Sequence, residues 1–379
     1  MSSSSSSGGH LAIENFEPLM KKLVDQHQRQ FENALSISIS WKDDNTNASR
    51  DIHNFQAILH LFGYPKAEEF VIPIDSKVPG WDVADKIRAL ILQAMAMTGR
   101  TIIFIHYAGH GLNWNEDLHF CDASGRKHFN VESNILSLVN SASPITDAHN
   151  IDVVLIFDSC YSYLVTRGFT GESRVVEILA AVDEKTRLAF SPGVRASFTG
   201  KLYAEIIRRK HLGAKDIELA DLITHLRKES PLKKPSYRLL MGANSLRLTI
   251  PGDTEGGPTY QPPGPATHAI FSFRLAKSLS VNQLASFRDW IWQLPRENGL
   301  TLEGAYETQS MLLIFEAPYT FWLKLDGYNF VQLISEAESG NILRSTPTST
   351  PVPKKENIHP NPSHVASKSV FHPGRHCSY

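Results

Sequence analysis

Two apolar runs dominate the pattern of the chain. Thr101-Ile-Ile-Phe-Ile-His-Tyr-Ala and Ile151-Asp-Val-Val-Leu-Ile-Phe-Asp are almost continuous in β-branched and aromatic residues. That is the pattern of strands buried on both faces of a parallel sheet, not of strands with one wet face. Around them the period alternates. Residues 35–41 alternate apolar residues with serine, as a first strand does. Ile52, Phe55, Ile58, Leu59 and Phe62 recur at helical spacing and stop at Gly63, a C-terminal helix signal. A short strand over 70–74 follows, and Val83, Ile87, Leu90, Ile91, Ala94 and Met95 mark a second amphipathic helix over 82–98. A hairpin around 122–125, a helix near 131–139, a strand over 175–182, a helix over 198–208 and closing strands at 237–241 and 246–250 continue the series. Strands alternating with helices predict an α/β domain over residues 35–250, a mostly parallel sheet with helices on both faces and right-handed crossovers.

The pattern changes after that. Residues 251–267 are rich in Pro and Gly and read as a linker. Beyond it, a strand (269–273), a helix (282–294), two strands (300–307 and 311–316), a helix (320–326) and a strand (330–334) spell β-α-β-β-α-β. This order predicts a small ferredoxin-like α+β module over 268–340. Residues 341–379 are rich in Pro, Ser and Thr with scarcely any large apolar residue, and are expected to be disordered. Residues 1–34 read as a Ser/Gly arm and an amphipathic helix. Its face, Phe16, Leu19, Met20, Leu23, Val24, His27 and Phe31, is expected to pack on its own domain or, alternatively, to act as a detachable segment.

Composition narrows the function classes. Lys and Arg number 38 against 39 Asp and Glu, so no field favours nucleic acid or an anionic membrane. With no secretory h-region and no long apolar stretch, a cytoplasmic, soluble protein is expected. Cys121, Cys160 and Cys377 show neither paired spacing nor a zinc motif, which fits a reducing compartment.

Both buried runs end in small or polar residues, His106-Tyr-Ala-Gly-His110-Gly111 and Asp158-Ser-Cys160-Tyr-Ser162. Ligands bind beyond the carboxyl ends of strands in open α/β sheets, so His110 and Cys160 are expected at one edge. The pair suits nucleophilic catalysis, with the thiolate attacking an acyl carbon and the imidazole moving the proton. Gly111, without a side chain, is expected to bring its N–H to a developing oxyanion beside the Cys160 N–H. His106 and His110, four apart on a strand, do not make a zinc pair, and no metal or cofactor is expected.

These blocks resemble the His-Tyr-Ser-Gly-His-Gly and Asp-Ser-Cys-His-Ser blocks of the caspase superfamily, closest to metacaspases and fungal caspase-like proteins. The separation of about 50 residues agrees, whereas Asp158, Ser159 and Ser162 depart from the animal-caspase Gln-Ala-Cys-x-Gly. Ala108 and Tyr161 stand where the metacaspase blocks have serine and histidine. The resemblance implies a caspase-like peptidase fold over residues 35–250 and cysteine endopeptidase activity on proteins or peptides. It also implies that Asp158 lines the pocket for the P1 residue, joined by Asp51, retained where a Cys-x-Asn-Asp block reads Ala48-Ser-Arg-Asp51. Two carboxylates in one cleft favour Arg or Lys, Arg able to engage bidentately. Asp51 also suits a first-turn helix acid. Calcium dependence, frequent among metacaspases, finds only Glu116, Asp117 and Asp122, too few to claim. The stretch from Leu164 to Arg174 reads as an exposed loop, with Arg167 and Arg174 as candidate self-cleavage sites. The rival reading is an inactive caspase-like scaffold in cell-death or immune-type signalling, with the C-terminal module as its partner-binding part.

Overall fold

The computed structural model describes residues 10–24, 30–140, 150–166, 174–184, 189, 197–230, 232–242, 244–252, 267–293, 299–308, 310–326, 328–339 and 341. In chain order the elements up to residue 250 are α1 (Ile13–Val24), β1 (Asn33–Trp41), α2 (Ala48–Leu61), β2 (Glu68–Ile72), α3 (Pro79–Met95), β3 (Thr101–Ala108), β4 (His110–Trp114), β5 (Asp117–Cys121), β6 (His128–Asn130), α4 (Val131–Asn134), β7 (Ile151–Asp158), β8 (Val176–Ala180), α5 (Phe198–His211), β9 (Asp216–Glu218), α6 (Leu219–Glu229), β10 (Ser236–Met241) and β11 (Arg247–Thr249). The central sheet runs β10-β8-β7-β3-β1-β2, parallel throughout except for β10. The two apolar runs are its middle strands, β3 and β7, and every residue of both is buried. Helices flank the sheet, α2, α5 and α6 packing together and α3 with α4.

Strand order reverses at β1. The chain steps outward to β2 and returns to β3 on the other side of β1, and such a reversal opens a crevice at the carboxyl ends of the strands on either side. β3 itself stops at Ala108. Gly109, at φ 149°, turns the chain, and His110 opens β4, the first strand of a three-stranded antiparallel sheet, β4-β5-β6. Asn115 and Glu116, both at positive φ (54° and 69°), form the β4–β5 turn, the conformation a two-residue type I′ hairpin requires. The periodicity gave one hairpin here; there are two. The helix over 131–139 is one α-turn, α4, followed by a 3-10 turn at Leu136–Leu138. β11 does not close the main sheet but pairs with β9 in a separate ribbon.

The second sheet is built from β12 (His268–Leu275), β13 (Thr301–Glu307), β14 (Met311–Pro318) and β15 (Val331–Ala337), with α7 (Val281–Gln293) and α8 (Tyr319–Leu323) between strands. Its order, β13-β14-β12-β15, all antiparallel, is ferredoxin-like. The first helix of the chain completes it. Phe16 of α1 meets Phe287 at 4.8 Å and Phe273 at 5.1 Å between ring centroids, and Leu11 exchanges backbone bonds with Arg274 and Ala276 at 2.9 Å. The amphipathic face therefore packs on the C-terminal module, not on the α/β domain beside it in sequence. Ion pairs join module and domain: Arg227 of α6 to Glu336 (2.6 Å), Lys234 to Glu336 (3.1 Å) and Arg238 of β10 to Asp326 (3.1 Å). The described residues up to 339 form one compact unit. Most of the linker, all of the tail but Asn341, and residues 1–9 lie outside the described residues. No described helix is long and apolar enough to cross a membrane.

Candidate active site

The register of β3 and β7 brings the two blocks together. Ala108 pairs with Asp158 on the last rung, and Gly109 N–H reaches the Asp158 carbonyl at 3.3 Å. His110 and Cys160 each follow two residues later, at the same sheet edge. Gly111 lies against the backbone of the cysteine: a Cβ there would overlap the Cys160 carbonyl oxygen and come within 3.0 Å of Ser159 Oγ. Only glycine fits so close an approach. Directly after Cys160, Tyr161 has φ 59°, left-handed backbone that an aromatic residue rarely adopts. It turns the chain sharply, into a 3-10 turn at Ser162–Thr166.

His110 is partly exposed, as is Cys160. His110 is held at its backbone and at its ring. Tyr107 donates its hydroxyl to the His110 carbonyl at 2.8 Å, and the ring Nε2 bonds Asn45 Oδ1 at 2.7 Å. Asn45 sits beyond β1, on the far side of the switch point. Its loop is pinned by Asp44, whose carboxylate accepts from Thr46 N and Ala48 N at 3.0 Å. With Oδ1 as acceptor, Nε2 carries the proton and Nδ1 is the free base. The thiol and the imidazole are not hydrogen-bonded to each other. Asn45 was not foreseen from the sequence; the signal that could have found it is the pairing of β1 with β3, which makes the two strand ends neighbours.

Cys121 pairs across β4–β5 with His110. Burial first, then Asp122, Cys160 and Asp43, pushes its thiol up to about 12. It stays protonated and buried, whereas Cys160 is the partly exposed thiol among the described residues.

Asp51 and Asp158 do come together, at the N-terminus of α5, and both are fully buried. Thr199 donates to Asp158 Oδ2 twice, from N (2.8 Å) and from Oγ1 (2.9 Å), and Asp158 Oδ1 has no partner. Ser197, the N-cap of α5, donates to Asp51 Oδ1 at 2.6 Å and accepts from Gly200 N at 3.2 Å. The acids thus lie at the positive end of a helix, Asp158 taking one of its first amides directly and Asp51 bonded to the N-cap hydroxyl. Burial, then the charge of Asp51, raises the Asp158 carboxyl to about 7 against the opposing pull of Thr199 and Lys201. Two expectations change. The acids are sealed in rather than lining an open floor, and a guanidinium cannot grip Asp158 with both prongs because Oδ2 is already occupied by two donors.

His106 stands apart from His110 and Cys160. It is fully buried, bonded to Ser38 Oγ (2.8 Å) and Thr199 Oγ1 (3.2 Å), stacked on Phe55 at 4.5 Å and kept neutral by burial, which lowers it to about 3. The acids considered for calcium serve the hairpins. Asp122 accepts from Ser124, Arg126 N and Lys127 N, and Asp117 from Asn130. No cluster of three or more metal-ligating side chains occurs among the described residues.

Arg174 is a correction. It is fully buried, its guanidinium donating to the carbonyls of Val139 (2.6 Å) and Asn140 (2.9 Å), while Val175 N–H next to it bonds Asp152 Oδ1 at 2.6 Å. An arginine tied down in this way is not an accessible cleavage site. Tyr163 and Leu164, at the other end of the supposed exposed loop, are also buried. Arg167 lies outside the described residues.

No protein-family model and no curated protein matches the chain. Among solved structures it is similar to the Drosophila initiator caspase Dronc, with a TM-score of 0.37 and 13% identity over 59% of this chain and 85% of that one. A likeness at that level decides nothing about the chemistry of this chain.

Proposed function

We propose that this protein is a caspase-like cysteine endopeptidase cleaving after Arg or Lys. One observation carries the reading: the matched register of β3 and β7, which sets His110 and Cys160 at one sheet edge with Gly111 pressed against the nucleophile's backbone. In the reaction, His110 Nδ1 takes the thiol proton and the thiolate attacks the peptide carbonyl carbon. The N–H groups of Gly111 and Cys160 hold the oxyanion, and His110 returns the proton to the leaving amine. Water, activated by the same imidazole, then hydrolyses the thioester. Asn45 keeps the imidazole in the tautomer this needs. A thiol–imidazole contact that is open without substrate is compatible with one that forms on binding.

The basic P1 preference is supported by Asp158 and Asp51 in one buried site, and substrate binding must uncover them. Arg167 remains the proposed self-cleavage site. The cysteine usage supports action in the cytoplasm, on protein or peptide substrates. Two features favour the rival, a silent signalling scaffold with partners at the C-terminal module: both acids are sealed, and His110 is bonded to Asn45 instead of the thiol. Incubating wild-type and Cys160→Ala protein with peptides bearing Arg, Lys or Asp at P1, with and without calcium, separates the two. Proteolysis predicts cleavage after basic residues that Cys160→Ala abolishes. Equal turnover by both proteins, or none by either, rejects it.

A further inference from the structure

A relay of side chains runs behind Asp158 through four elements: Ser38 of β1, His106 of β3, Thr199 of α5 and Asp158 of β7. The links are Ser38 Oγ to His106 Nδ1 (2.8 Å), His106 Nε2 to Thr199 Oγ1 (3.2 Å) and Thr199 Oγ1 to Asp158 Oδ2 (2.9 Å), all buried. The direction of each bond follows from the inventory of donors. In its ionised form, the one a basic side chain meets, Asp158 only accepts, so the Thr199 hydroxyl donates to it. The hydroxyl oxygen then accepts from His106 Nε2–H, and the bare Nδ1 accepts from Ser38. A neutral imidazole is required, and burial keeps His106 neutral. The hydroxyl of Thr199 is thereby fixed in orientation, and its backbone N–H reaches the same oxygen at 2.8 Å.

The arrangement is asymmetric. Oδ2 accepts two hydrogen bonds from one residue, while Oδ1, equally buried, accepts none. A buried polar atom left without a partner calls for an explanation, and a ligand donor supplies one. We propose that Thr199, aligned by His106, is the positioning residue for specificity: it fixes Oδ2 inward so that Oδ1 is the one acceptor that Asp158 offers to a basic P1 side chain. This deepens the reading of a protease with basic preference and rests on it. The other charged groups facing Asp158 are Asp51 of α2 and Lys201 of α5, whose ammonium is held by Ser230 Oγ at 2.9 Å.

The experiment compares wild type, Thr199→Val, Thr199→Ser and Asp158→Ala over pH 5.5–9 with lysyl and arginyl peptides. Thr199→Val keeps the shape and the backbone donor but loses the hydroxyl, which favours the charged carboxylate. Its kcat/KM at pH 7 should fall about three- to tenfold, mainly through KM, and the acidic midpoint of its pH profile should move upward. Thr199→Ser should restore both. A merely structural threonine would lower stability without moving the midpoint. If wild type cleaves basic peptides and Asp158→Ala does not, an unchanged midpoint and KM in Thr199→Val overturn this inference alone. If wild type does not cleave them, or Asp158→Ala cleaves them as well, the protease reading fails and takes the specificity role with it. The carboxyl titration of 13C-aspartate-labelled protein needs no turnover; an Asp158 midpoint identical in wild type and Thr199→Val also refutes the positioning role.

Discussion

Replacing Asp158 by Asn should make the fold more stable while removing the basic preference, and the stabilisation should grow with pH. The carboxyl is fully buried, and folding raises it from 3.8 to about 7. Below about pH 3 both folded and unfolded chains are protonated there, so folding carries no penalty. As pH rises, the unfolded chain ionises first while the folded carboxyl stays neutral, and stability is lost until the folded group also ionises near pH 7. A difference of about 3 units corresponds to about 4 kcal/mol. Asparagine is never charged and can turn its oxygen to the two Thr199 donors, leaving its amide where Oδ1 was unpartnered. The variant should therefore exceed wild type by about 1 kcal/mol near pH 4.5 and by about 4 kcal/mol at pH 8.5, a widening worth roughly 4–5 °C in melting temperature for a unit of this size. Calorimetric melts at pH 4.5, 6, 7 and 8.5, with Cys160→Ala in both proteins to prevent self-digestion, measure the difference. A gap that is constant with pH, or that narrows towards alkaline pH, refutes the reasoning.

Asn45→Ala should lower kcat about 10-fold or more with KM little changed, because the imidazole loses the acceptor that selects its tautomer; unaltered kcat at pH 7 would remove Asn45 from the site. Gly111→Ala should abolish turnover, since its Cβ overlaps the Cys160 carbonyl, while circular dichroism shows the fold retained. Arg174→Ala should destabilise the protein by about 2–3 kcal/mol in urea unfolding, by leaving the Val139 and Asn140 carbonyls without their charged donor. Mass spectrometry of incubated protein should find no terminus after Arg174. Phe16→Ala should cost about 3–5 kcal/mol, although that residue lies some 250 positions from the sheet it supports.

The elements read most easily from the sequence are those whose pattern is set by their own surroundings. β3 and β7 lack alternation because water touches neither face, and the order of the second sheet follows from six well-separated periodic segments. That Cys160 and His110 share a sheet edge was legible because each lies two residues beyond such a strand. What escaped depends on contacts between distant segments. Nothing local to the polar loop holding Asn45 says that it meets His110, 65 positions on. Arg174, flanked by glycine, serine and threonine, looks in composition like any exposed arginine; its burial depends on the Val139 and Asn140 carbonyls that it meets beyond the Leu136–Leu138 turn. The apolar face of α1 announces that it packs, not on what. α6 was missed although Leu219, Leu222, Ile223 and Leu226 fall at helical spacing, because the brief strand β9 abuts it and blurs its start.

The docking of Leu11 and Phe16 onto β12 has a consequence for how the chain is made. Leu11 pairs with Leu275, so the first helix leaves the ribosome with its partner about 264 codons away. At roughly 5–20 residues per second, that is on the order of 10–50 s during which the α/β domain can already fold. Throughout, Phe16, Met20 and Leu23 have no native place to go. The nascent protein thus carries an exposed hydrophobic helix ahead of the α/β domain, a natural substrate for a holdase chaperone, and it can bury that helix only when translation reaches the β12–β15 sheet.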